Sequence, residues 1–103
     1  MKKWTVITTD DVQNDLDNFV YYLLAEKMSE QAAMAVLDDY DSTVEELVDI
    51  AGSLKPLDDP ELSEYRKIRL RKHKYYLLYR IEGNTAIVDR MFHDLQDLDK
   101  AMK

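Results

Sequence analysis

The sequence contains no cysteine, and only two glycines and two prolines among 103 residues. Without cysteine there is no disulfide and no thiolate metal site, so the core alone must hold the fold. That usage fits a reducing compartment. Few Gly and Pro beside 46% hydrophobic residues exclude a low-complexity or disordered chain. No apolar run approaches the roughly 20 residues needed to span a bilayer. The opening MKKWTVITTDD has two lysines but no apolar stretch of signal-peptide length. The expected location is cytoplasmic, with no membrane partner. Phosphate-binding glycine loops, dinucleotide fingerprints, nucleophile elbows and zinc spacings are also missing. The length suits a single domain over residues 1–103 with one core.

What is present is a charge asymmetry. Residues 1–64 hold 4 basic and 16 acidic side chains, while 65–103 hold 10 basic and 5 acidic. The contrast peaks in YRKIRLRKHKYYLLYR, residues 65–80, which has seven Lys/Arg, one His, four Tyr and no acid. Crowded like charges repel, so such a cluster calls for an anionic partner or for the acidic half of the same chain. Interleaved aromatics suit nucleic acid. The overall charge of −7 opposes a polyanion at long range.

The periodicity gives the elements. Lys3–Thr9 is short and β-rich. Thr9 or Asp10 can cap a helix whose apolar residues recur at Val12, Leu16, Phe19, Val20 and Leu23. The pattern breaks at Lys27-Met28-Ser29. Ser29 can cap a second helix with a seam of Ala33, Leu37, Tyr40, Val44, Leu47, Ala51 and Leu54. The seam is short for a coiled coil between chains and predicts an intramolecular αα-hairpin. Gly52 and Pro56 end it, and 55–64 reads as a loop. Three strands follow: 65–71, 75–82 and 86–93, with a turn at 72–74 and a hairpin turn at Glu82-Gly83-Asn84. Residues 94–103 suit a short helix or a tail. The order β-α-α-β-β-β implies an α+β fold, with a helical hairpin on one face of a mostly antiparallel, twisted sheet.

These strands resemble the RelE/ParE superfamily of type II toxin–antitoxin toxins. The resemblance is carried by Tyr65-Arg66-Lys67-Ile68-Arg69-Leu70, by Tyr75-Tyr76-Leu77-Leu78-Tyr79-Arg80-Ile81, and by Ile87-Val88-Asp89-Arg90-Met91-Phe92-His93 with Asp97 beyond. It implies a small toxin held by a cognate antitoxin protein. One branch cuts ribosome-bound mRNA without metal or other cofactor, the substrate's 2′-hydroxyl attacking the adjacent phosphate. The other inhibits DNA gyrase and is not known as a nuclease. A shared fold does not choose between them.

Metal-free cleavage needs a base, an acid and cations for the developing charge. A strand over 65–71 would put Lys67, Arg69 and Arg71 on the face opposite Ile68 and Leu70. Lys67 and Arg69 match two basic positions of the nucleases. With His93, at the end of the last strand, they form the expected catalytic set. His93 serves equally as a structural hydrogen-bonding residue. Tyr76, Arg80, Arg90 and His73 are the expected substrate contacts. His73 is expected exposed in its turn, and an ion pair to a helix acid competes for Arg90. Tyr75, Leu77, Tyr79 and Ile81 make the better core face. Two residues depart from the nuclease pattern: Tyr76 and Gln96 stand where Arg is expected. A neutral tyrosine supplies no positive charge there. The leading expectation is a ribosome-dependent mRNA endoribonuclease. The alternatives are a gyrase inhibitor without catalysis and a degenerate member that only binds its antitoxin.

Overall fold

The computed structural model describes residues 3–96 and 102. Strand β1 (Thr5–Thr8) leads into helix α1 (Asp10–Ala25), helix α2 (Glu30–Ile50), and strands β2 (Tyr65–Arg69), β3 (Tyr75–Glu82) and β4 (Thr85–His93). The sheet order is β1-β4-β3-β2. β1 runs parallel to β4, and the other two pairings are antiparallel. The expected α+β order therefore holds. The expected loop contains a 3-10 turn at Pro60–Leu62, capped by Asp59. The suggested helix over 94–103 falls mostly on residues outside those described, as does Asp97.

Local chemistry sets the boundaries. Thr9 Oγ1 accepts from Val12 N at 3.2 Å, and Ser29 Oγ from Ala32 N at 3.1 Å. Both are side-chain N-caps, which satisfy amides the helix itself cannot. Gly83 takes φ 61° in the two-residue β3–β4 turn, where a left-handed residue matches the sheet twist.

The helices pack on one face of the sheet. Val12 and Leu16 of α1 and Val36, Tyr40 and Leu47 of α2 meet Tyr75, Leu77, Tyr79, Val88 and Met91 there. The α2 seam is thus spent inside the chain. The opposite face, expected to be the lesser one, is also covered in part. Tyr76, Leu78 and Phe92 are buried there beneath Leu57, Tyr65 and Met102. Met102, beyond the last strand, thus helps Leu57 and Tyr65 close a small second core.

Arg66 explains why the β2 motif needs its arginine. Its Nη1 donates to the carbonyls of Gly52 and Leu54 at 3.1 and 2.9 Å, with a longer contact to Ala51 at 3.5 Å. Tyr79 Oη donates to Ala51 O at 2.6 Å. These donors serve carbonyls left over where α2 ends. Burial pushes the Tyr79 phenol up to about 12, so it stays a donor at any physiological pH.

Candidate functional site

The β2–β3 register decides which cations share a face. Lys67 pairs with Leu78 and Arg69 with Tyr76, so both side chains lie on the face away from the helices. Lys67 Nζ sits 5.1 Å from the Tyr76 ring centre. Arg69 makes a 2.8 Å ion pair with Asp94, and its side chain is 59% exposed. Tyr76 is buried against Phe92, with ring centres 5.7 Å apart. Burial, then the Asp94 charge, pushes its phenol pKa up. It is therefore no base at neutral pH, and only its ring is offered to Lys67.

Arg71 does not join this face. β2 stops at Arg69, two residues short of the expected end. Beyond it Arg71 turns to α2, where Nε and Nη2 each lie 3.1 Å from Glu46 Oε2. The expected row of three cations is a row of two.

His73 is not a free turn residue either. Its Nδ1 lies 2.7 Å from Asp39 Oδ2, and the Asp39 side chain is only 2% exposed. The same carboxylate accepts Arg71 N at 3.2 Å and Lys72 N at 2.9 Å. Burial pushes the Asp39 pKa up, but the His73 hydrogen bond and the two amides outweigh it, and the net shift is downward. One buried acid of α2 thus shapes the whole basic turn. In the sequence Asp39 is one of three acids beside Tyr40, and no local pattern sets it apart from Asp38 or Asp41.

His93 stands on the other side of the sheet from Lys67. It pairs with Tyr75 in the β3–β4 ladder. Its ring meets Tyr75 edge-on at 5.2 Å, and Phe19 packs 4.7 Å beyond. Asn18, Phe19, Tyr22, Tyr75 and His93 line a mainly apolar cavity of about 490 Å³. His93 Nδ1 accepts from Leu95 N at 3.1 Å, and His93 N donates to the Gln96 side chain at 2.8 Å. Gln96 is thus a strand-end cap at the position where a second catalytic Arg was sought.

The two remaining arginines are engaged in ion pairs. Arg80 Nε lies 2.8 Å from Asp89, and its Nη1 2.8 Å from Glu82. Arg90 Nε lies 2.8 Å from Asp15 Oδ2 and Nη2 3.2 Å from Oδ1, a two-point pairing to α1. Asp15 also accepts Met91 N at 2.9 Å. β1 reaches only as far as Val88, so this carboxylate serves an edge amide of β4 that has no strand beside it. The guanidinium pKa of each arginine is pushed up, first by its hydrogen bond to Asp89 or Asp15.

The structure thus brings together Lys67, Arg69 and Tyr76, and sends Arg71, His73 and His93 elsewhere. Among the described residues no group of three or more His, Asp or Glu is placed to hold a metal ion. Nor is any helix long and apolar enough to cross a membrane.

A family model for the ParE toxin of the type II toxin–antitoxin system parDE matches residues 6–98. Among solved structures, the chromosomal ParDE system of P. aeruginosa superposes with a TM-score of 0.72 at 19% identity, covering 90% of this chain and 98% of that one. The RelBE2 toxin–antitoxin complex of Mycobacterium tuberculosis gives 0.57 at 26% identity, covering 90% and 93%. A conserved Helicobacter pylori protein gives 0.56 at 16% identity, covering 87% and 93%. No curated protein sequence matches significantly.

Proposed function

This chain belongs to the ParE toxin family of type II toxin–antitoxin systems, and on that premise we propose that it acts by binding its target, DNA gyrase, and not by cutting mRNA. The observation that carries this reading is the separation of Lys67 from His93. A 2′-hydroxyl base and a leaving-group acid must reach one phosphate from within hydrogen-bonding distance. Here the free lysine and the imidazole lie on opposite faces of one sheet. Arg71, Arg80 and Arg90 are held by carboxylates, which reduces the charge they offer to a phosphorane-like transition state. Protein recognition requires no such convergence.

Lys67 and Arg69 side by side favour the nuclease reading, the second choice. They could hold a phosphate, with Tyr76 as their floor. The ionisable groups beside them are Asp94, engaged by Arg69, and the Tyr76 phenol, which burial keeps protonated, so they would bind it and not turn it over. A member that only binds its antitoxin is the third reading.

The antitoxin partner follows from the family. The face it would cover is the one bearing Lys67, Arg69 and the Tyr76–Phe92 cluster, which suits an acidic or amphipathic segment. Family membership supports a cytoplasmic site of action. The test is to induce the chain alone in cells, then follow a DNA-damage reporter and map mRNA 5′ ends. The reporter should rise while mRNA ends stay unchanged. Codon-aligned cuts without a damage signal would reject the proposal.

A further inference from the structure

The turn between the helices holds a residue in a backbone conformation that does not suit it. Met28 has φ 50°, the left-handed region that disfavours a side chain. Ser29 N donates to Leu23 O at 3.0 Å, so Met28 lies inside a seven-residue hydrogen-bonded turn that closes α1. Glycine would close the helix equally well without strain. Packing within the chain does not explain the methionine, which is 86% exposed. Leu24, Met34 and Tyr21 on the same helical hairpin are 46%, 54% and 70% exposed, and none belongs to either core.

Acidic residues outnumber basic ones around this turn. Glu26, Glu30 and Asp38 are exposed, and Glu30 and Asp38 line a shallow cavity of about 650 Å³ with Gln31, Met34 and Ala35. Lys27 is the only Lys or Arg between Lys3 and Lys55, and its Nζ leans over the Tyr22 ring at 5.8 Å.

We propose that the turn end of the α1–α2 hairpin is a docking surface for a cationic amphipathic helix of a protein partner, with Met28 as its apolar anchor. Strain kept at an exposed residue marks a constraint other than stability. Methionine side chains are flexible and polarizable, and suit an apolar helix face. The surrounding carboxylates match Lys or Arg on the flanks of such a helix and repel nucleic acid or an anionic membrane. The surface is opposite in sign to the one bearing Lys67 and Arg69. It therefore takes a different segment, and it does not depend on which target the toxin inhibits.

The test uses the full chain and a fluorescein-labelled amphipathic helical peptide of leucines and lysines, with its leucine–glutamate counterpart as control. Fluorescence anisotropy should show binding of the first peptide and not of the second. Met28→Gly should raise Tm by a few degrees, showing intact folding, and weaken peptide binding about tenfold or more. Glu30→Lys should also weaken it and make binding less sensitive to salt than in the wild type. Unchanged affinity in both variants, or equal binding of the glutamate peptide, overturns the proposal. So does sedimentation showing that two copies of this chain already cover Met28.

Discussion

Asp39 Oδ2 and His73 Nδ1 lie 2.7 Å apart, and that contact ties the basic β2–β3 turn to the acidic long helix. With the amides of Arg71 and Lys72 on the same carboxylate, one buried acid organises three consecutive residues of the turn. Asp39→Ala should cost roughly 2–4 kcal/mol, since it leaves two amides and an imidazole without their acceptor. Urea denaturation of the two proteins checks this. A cost under half a kcal/mol would mean the turn holds itself.

The same carboxylate predicts an acid dependence. Its folded pKa lies below the ordinary 3.8, so its stabilising contribution is complete above that value. The contribution is lost as pH falls from 3.8 through the lower folded pKa. Other acids titrate nearby, so the difference between wild type and Asp39→Asn is the useful quantity. That difference should be constant above about pH 5 and shrink below 3.8. Urea midpoints from pH 2.5 to 6 measure it.

Arg66 should behave as a cap and not as a substrate contact. Arg66→Ala should destabilise by about 1–3 kcal/mol, because carbonyls at the end of α2 lose a charged donor. Lysine should recover only part of this, since one ammonium cannot copy the guanidinium fork. Thermal unfolding of the three proteins decides. Loss of toxicity in Arg66→Lys at full stability would point to a functional role instead.

Arg90 and Asp15 should couple. A double-mutant cycle on the pair should give roughly 1–2 kcal/mol, above the usual surface value because the contact is two-point and partly buried. Asp15→Ala should cost more than Arg90→Ala, since Met91 N also loses its acceptor.

Much of the fold was legible, and its particulars show why. Ser29 announced one helix start and Thr9 or Asp10 the other, where the cap is Thr9, and the alternation around Ile68 and Leu77 announced two strands. The parallel β1–β4 pairing and the partial cover over Tyr76 and Leu78 depend on distant segments, which no local period reports. The site was less legible. Alternation of faces predicts direction only while a strand lasts, and β2 ends at Arg69, before Arg71. His93 was placed correctly at a strand end, but its face depends on its register with Tyr75. Asp39 looked like any helix acid; its partners lie more than 30 residues away in sequence.

The central claim, binding without catalysis, is tested most directly with purified components. Supercoiling of relaxed plasmid by DNA gyrase is measured as the antitoxin-free chain is titrated in, beside His93→Ala and Tyr76→Arg variants. The wild type should inhibit, His93→Ala should inhibit equally, and adding the arginine should gain no RNA cleavage. Gyrase that stays fully active at excess toxin, while Tyr76→Arg cuts mRNA on ribosomes in a His93-dependent way, would contradict it.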